Sequence, residues 1–129
     1  MLHALLVEDH DGHAALVADG LRGLAWVQRV TTLADARAVI RVAVPDVVLC
    51  DLRGTSDVSP TDAASDLRIA LDSACASIRA RVPMVLTSGL DSYVLDGIAG
   101  ALVGVHALPK PFSRTALRSL IERVTGVTS

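Results

Sequence analysis

Apolar residues in this chain follow two patterns, and the two alternate. Short, nearly unbroken blocks occupy 2–7 (Leu-His-Ala-Leu-Leu-Val), 47–50 (Val-Val-Leu-Cys) and 83–87 (Pro-Met-Val-Leu-Thr). Blocks of this length bounded by turn-forming residues read as strands buried on both faces. Between them lie longer stretches with apolar positions at helical spacing. Ala14, Leu16, Val17, Leu21 and Leu24 carry the first, which Asp11 or Gly12 can start and Gly20 and Gly23 weaken at its end. The second spans 33–44, with Ala34, Ala38 and Val42 (and Val39, Ile40) apolar and Asp35, Arg37 and Arg41 outside, until Pro45 stops it. The third opens at Pro60-Thr61-Asp62 and runs to about residue 80, with Leu67, Leu71, Ala74 and Ile78 at steps of 4, 3 and 4 as its inward stripe. A weaker helix covers 91–101, interrupted by Gly97 and Gly100. Ser113 is a good N-cap for a closing helix whose apolar face carries Leu117, Leu120, Ile121 and Val124. Residues 26–30 alternate as an edge strand does, and 102–108 can form a fifth strand.

The order is therefore five strands alternating with five helices. Such alternation with short loops implies a parallel sheet with right-handed crossovers and helices on both faces. The flavodoxin-like α/β sandwich, strand order 2-1-3-4-5, is the expected wiring. No repeat, linker or low-complexity tail divides the sequence, so residues 1–129 are expected to form one domain.

Composition narrows the functional classes. The hydrophobic fraction is 51% but contains one Trp, one Tyr and one Phe, which suits Val/Leu strands under Ala-rich helices. A formal net charge of −2 gives no basic patch for nucleic acid. No apolar run approaches the ~18 residues that span a bilayer. Met1 leads straight into strand-like residues and then Glu8-Asp9, without a basic leader, so the expectation is a cytoplasmic protein with no membrane partner. Cys50 and Cys75 show no zinc-type or CxxC spacing and are expected to be reduced thiols.

In the expected fold the carboxyl ends of the strands carry Glu8 and Asp9 (first), Asp51 (third), Ser88 (fourth) and Lys110 (fifth). Carboxylates converging on one crevice repel, by roughly 4 kcal/mol for a pair at ~4 Å and an effective dielectric of 20. Such a group protonates or takes a cation. Carboxylate oxygens with room for water suit Mg²⁺. A lysine adds a compact positive charge and a serine a hydroxyl donor. An aspartate in that company is equipped to attack phosphorus and become an acyl phosphate.

Leu5-Leu6-Val7-Glu8-Asp9, Val47-Val48-Leu49-Cys50-Asp51, Pro83-Met84-Val85-Leu86-Thr87-Ser88-Gly89 and Lys110-Pro111-Phe112 together resemble the response-regulator receiver domain of two-component signalling. The spacings of 42 from Asp9 to Asp51, 37 on to Ser88 and 22 on to Lys110 lie in that family's range. The resemblance implies that Asp51 accepts a phosphoryl group from a histidine kinase or phosphotransfer protein. It implies Mg²⁺ held by Glu8, Asp9, Asp51 and the Arg53 carbonyl. Ser88 would be the switch hydroxyl, with Thr87 second, and Lys110 would pair with the aspartate and then the phosphoryl group. A cis Lys110–Pro111 bond, common in receivers, would aim the ammonium into the crevice. Output would pass by protein contact, to a target or a second copy, through Leu90, Tyr93, Val94 and the exposed side of the closing helix. No enzymatic turnover on an external substrate is implied.

Two departures from the family stand out. The loop after Asp51 reads Gly54-Thr55-Ser56-Asp57-Val58-Ser59-Pro60 in place of a Met-Pro turn. The aromatic switch position, three residues before the lysine, is Ala107, so the usual inward turn of a ring has no side chain to perform it. These departures support a competing reading, an interaction module indifferent to phosphate. A covalent phosphatase is a third reading, weakened because the second aspartate of the haloacid-dehalogenase opening is missing at Arg53. Nucleotide binding is disfavoured, since Glu8-Asp9-His10-Asp11-Gly12 replaces a glycine-rich loop and repels phosphate. Asp57 and Asp62 read as loop and cap residues. His10 and His13, at i, i+3 beside acids, could bind zinc or simply decorate a helix start.

Overall fold

The computed structural model of the chain describes residues 1–51, 60–74, 82–88 and 92–127, with 60, 61, 88, 92 and 93 described by backbone alone. Five strands, β1 (Leu2–Val7), β2 (Ala25–Val30), β3 (Val47–Asp51), β4 (Met84–Ser88) and β5 (Val105–Pro109), alternate with five helices, α1 (Asp11–Gly20), α2 (Leu33–Val42), α3 (Pro60–Ala74), α4 (Ser92–Ala101) and α5 (Arg114–Thr125). All neighbouring strands pair in parallel, in the order β2-β1-β3-β4-β5. The direction of strand addition reverses at β1, so the ends of β1 and β3 flank the crevice where such sheets bind ligands.

Strand pleating divides the core in two. Leu5, Val7, Val48, Cys50, Met84 and Leu86 face one layer, where Ala36, Ile40, Ala63, Leu67, Leu71, Leu95 and Ile98 cover them. Ala4, Leu6, Val47, Leu49 and Val85 face the other, beneath Ala14, Val17, Leu117, Leu120 and Ile121. The sheet is thus a two-sided apolar slab, and its polar ends are the places left for chemistry.

Several helices turn a different face inward from the one their spacing suggested. In α2, Ala36 and Ile40 are buried while Ala34, Ala38 and Val42 are exposed. An alanine-rich helix offers two near-equivalent stripes, and packing chose the one bearing the larger Ile40 and partly buried Leu33 and Val39. Leu16 in α1 and Ala74 in α3 are likewise exposed, whereas Ala63 and Ala64 are buried. Gly20 is less a weak point than a contact: a Cβ there would lie 3.0 Å from Leu117 Cδ2, so the absent side chain lets α1 approach α5.

Boundaries moved for local reasons. Helix α2 ends at Val42, two residues earlier than the pattern suggested, because Val44 precedes Pro45 and is pushed out of the helical region. Strand β5 starts at Val105 rather than 102 because Gly104 takes φ +76, a left-handed turn favouring glycine. Ser113 caps α5 as expected, accepting from the Ala116 amide at 3.0 Å. Residues 75–80 of the expected third helix, including Ile78 and Cys75, lie outside the described residues.

His106 in β5 gives a first test. Burial, then the charge of Arg123, holds its imidazole below the ordinary 6.5. With the folded value depressed, the unfolded chain binds the proton first, so this histidine costs stability as pH falls below 6.5. Urea midpoints measured at pH 7.5 and about 5.5 are expected to fall less in His106→Gln than in the wild type. An equal fall in both would remove His106 as the cause.

Candidate functional site

The register of β1 with β3 builds the site. Val7 pairs with Cys50, so the next residues along the two strands are Glu8 and Asp51. Both carboxylates are buried, Glu8 at 1% and Asp51 at 3% exposure. Two such groups side by side need a cation, and β5 delivers one. The Lys110–Pro111 peptide is cis, and Lys110 Nζ donates to Asp51 Oδ2 at 2.8 Å and Glu8 Oε1 at 3.1 Å.

A third acceptor joins them. Lys110 Nζ lies 3.0 Å from His13 Nδ1, which is also 3.7 Å from Glu8 Oε1. An ammonium has only hydrogens to give, so Nδ1 accepts and the proton of the neutral ring sits on Nε2. Helix α1 positions this ring through its own start. His10 caps the helix, its Nδ1 accepting from the His13 amide at 3.2 Å, and the two imidazoles stack at 4.1 Å. Glu8 is held from both sides: its Oε2 accepts from the His10 amide at 3.3 Å, and its carbonyl accepts from Arg29 Nε at 2.9 Å. Arg29 also donates to Asp11 Oδ1 at 2.7 Å, tying β2 to the start of α1.

The electrostatics follow from this crowding. Burial pushes the Glu8 carboxyl above its ordinary value of 4.5, the Lys110 hydrogen bond opposes the rise, and Asp51 adds to it. Burial and then the charges of Asp51 and Glu8 drive the Cys50 thiol up to about 12, which leaves it an inert free thiol in the strand.

Sequence reasoning set Asp9 beside Glu8 as a metal ligand; the structure also brings His13 to Glu8, its Nδ1 lying 3.7 Å from Glu8 Oε1. Asp9 is exposed. Among the described residues, the group whose donor atoms lie within 4.8 Å of one another is Glu8, His13 and Asp51. The histidine was visible as half of the His10/His13 pair, but nothing in the spacing showed that the helix cap would occupy His10 and turn His13 to the carboxylates. Thr87 is buried in β4 with its Cα opposite Asp51, and Ser88 pairs by its backbone with Pro109. The side chains of Ser88 and Tyr93, the Arg53 carbonyl, the altered loop with Asp57, and Leu90 lie outside what is described. Asp62 is exposed in the first turn of α3. Ala107 is partly buried against the core, with no aromatic ring at that position.

Comparison with solved structures places the architecture. The chain superposes on the chemotaxis response regulator CheY4 of Vibrio cholerae with TM-score 0.77 at 20% identity, covering 96% of this chain and 98% of that one. A CheY-like receiver domain from Methylobacillus flagellatus gives 0.75 at 23% identity, covering 96% and 98%. This is the receiver fold. The receiver domain of the sensor histidine kinase PA1611 from Pseudomonas aeruginosa, which has a magnesium ion coordinated in its active-site cleft, matches with TM-score 0.74 at 23% identity over 98% of both chains. No protein-family model and no curated protein sequence matches the chain. The crevice above β1 and β3 gathers a donor set that suits a divalent cation: two buried carboxylates from the ends of adjacent strands with an imidazole beside them. Among the described residues no helix is long and apolar enough to cross a membrane.

Proposed function

We propose that this chain is the phosphoacceptor receiver of a two-component phosphorelay. The observation that carries the reading is the Lys110 ammonium bonded at once to carboxylates from β1 and β3 at the switch point of the sheet. An Asp51 oxygen attacks the phosphorus of a phosphohistidine on a histidine kinase or phosphotransfer protein. The phosphorus–nitrogen bond breaks, the imidazole leaves with a proton, and Asp51 becomes an acyl phosphate. Lys110 then pairs with the phosphoryl oxygens. Ser88, or Thr87 in second place, supplies the hydroxyl donor. Glu8, Asp9, Asp51 and the Arg53 carbonyl are the residues that would hold Mg²⁺, whose charge would offset that of the phosphoryl oxygens.

Exposed Leu16 borders a groove of about 370 Å³ between α1 and α5 that reaches Lys110 and Phe112. It gives a phosphodonor protein an apolar footing beside the crevice. Exposed Val94 on α4 supports an output surface, toward a target protein or a second copy, on the α4–α5 side. A cytoplasmic location fits this role, and no turnover on an external substrate is expected of it.

Incubation with Mg²⁺ and a small acyl-phosphate donor is expected to add one phosphoryl group by intact mass, and Asp51→Asn is expected to take up none. Label persisting in that variant would refute the assignment. Ala107 favours a second reading, an interaction module that binds its partner regardless of phosphate. That reading predicts equal partner affinity for wild type and Asp51→Asn by calorimetry.

A further inference from the structure

We propose that the point between Glu8, His13 and Asp51, where the Lys110 ammonium now sits, is also a Zn²⁺ site for which the lysine and the metal compete. The ammonium is a cation already held by three acceptors from three elements, at 3.1 Å (Glu8 Oε1), 3.0 Å (His13 Nδ1) and 2.8 Å (Asp51 Oδ2). Zinc bonds such nitrogen and oxygen donors at roughly 2.0–2.2 Å, so each donor moves inward by about 1 Å or less. His13 has the freedom to do so, being 43% exposed on the first turn of α1. Lys110 sits at the mouth of the crevice, 15% exposed, and can withdraw to water.

The donor set decides the metal. Carboxylates and water satisfy Mg²⁺, whereas an imidazole nitrogen favours zinc and its neighbours in the transition series. His13 presents the right atom: Nδ1 accepts from the ammonium, so its lone pair already points at the cation position. His10 does not contribute through Nδ1, which caps α1. Three protein ligands and a remaining water make an open, exchangeable site rather than a closed structural one. With zinc bound, Asp51 is a metal ligand and Lys110 is displaced, so the ion opposes phosphoryl transfer instead of assisting it.

The inference stands on the crevice geometry and not on the phosphoacceptor reading. Calorimetric titration of the full chain with Zn²⁺ is expected to show one ion per chain, bound at least about tenfold tighter than Mg²⁺. His13→Ala is expected to weaken zinc about tenfold or more while leaving Mg²⁺ affinity unchanged. His10→Asn, which removes the imidazole but keeps a side-chain acceptor to cap α1, should bind zinc as the wild type does, and Lys110→Met should bind it at least as tightly, having lost the competitor. The His13 ring signals of the unmodified chain should shift in NMR spectra when zinc is added, a readout that needs no variant. Unshifted His13 signals, unchanged affinity in His13→Ala, or an equal loss in the cap-preserving His10→Asn, which marks a surface histidine pair, would each overturn the site. Weaker binding in Lys110→Met would overturn the competition. Zinc binding without phosphorylation in Mg²⁺ would sink the function proposed above and leave this site standing; phosphorylation without zinc binding would do the reverse.

Discussion

Replacing Lys110 with methionine is expected to cost the metal-free chain about 3 kcal/mol of stability near neutral pH, and to cost far less in acid. The side chain that is lost donates to two buried carboxylates, Glu8 at 3.1 Å and Asp51 at 2.8 Å. Methionine keeps the length and apolar stem of lysine, so packing is nearly preserved and the charge is what disappears. Removing one partner of a buried ion pair leaves the other charges uncompensated, the condition under which such pairs matter most.

The pH dependence follows from Glu8. Its folded-state value already lies above the ordinary 4.5, and Lys110 is the influence that holds it down. Without the lysine the folded value rises further. A group with a raised folded value contributes stability that is full below 4.5 and is lost as pH rises through the folded value. The deficit of the variant should therefore be small near pH 4.5 and grow to its full size by about pH 7.5. Urea unfolding with a chelator present, at both pH values, measures it directly. A deficit of equal size at both would assign the loss to packing and remove the charge argument.

What the sequence made legible, and what it hid, divides along physical lines. The strands were readable because a buried parallel strand needs an unbroken apolar block, and 2–7, 47–50 and 83–87 admit few other readings. Once the strands alternate with helices, the topology is nearly forced, and Glu8, Asp51 and Lys110 arrive at one crevice as a consequence. Helix α5 was equally clear, because Ser113 marks its start and Leu117, Leu120 and Ile121 form one stripe that is buried. Helix α2 was not, because Ala34-Ala38-Val42 and Leu33-Ala36-Ile40 are both apolar rows and side-chain volume decided between them. His13 was hidden for another reason. Its place depends on the cap at His10 and on the lysine side chain reaching over from β5, and neither leaves a periodic trace in the sequence.

Arg68 was hidden most completely, and it carries the second large effect. It follows Leu67 on α3 and would be assigned to solvent, yet it is 5% exposed. Its guanidinium donates to the carbonyl of Val82 at 2.6 Å, reaches the Gly104 carbonyl at 3.4 Å, and holds Asp72 Oδ1 through Nε at 3.1 Å and a terminal nitrogen at 2.8 Å. One side chain thus fastens α3 to the entry of β4 and to the turn before β5, the two strands that carry Thr87 and Lys110 to the crevice. Hydrogen bonds from a charged donor contribute roughly 1.5–3 kcal/mol each when a buried acceptor is otherwise lost. Arg68→Met, which keeps most of the apolar stem, is expected to lower unfolding stability by about 3 kcal/mol. Arg68→Lys should recover less than half of that, because a single ammonium cannot reproduce a planar fork directed at a carbonyl and a carboxylate together. Asp72→Asn should cost under about 1 kcal/mol, since Asp72 is 39% exposed and water can take its place. Urea unfolding of the three variants separates these cases. If Arg68→Met proves no worse than Asp72→Asn, water reaches the Val82 carbonyl unaided and the arginine is a surface pair that happens to be covered. A loss near the expected size, paired with a weak Asp72→Asn, makes the bonds to the backbone carbonyls the part that holds β4 and β5 in register beneath the site.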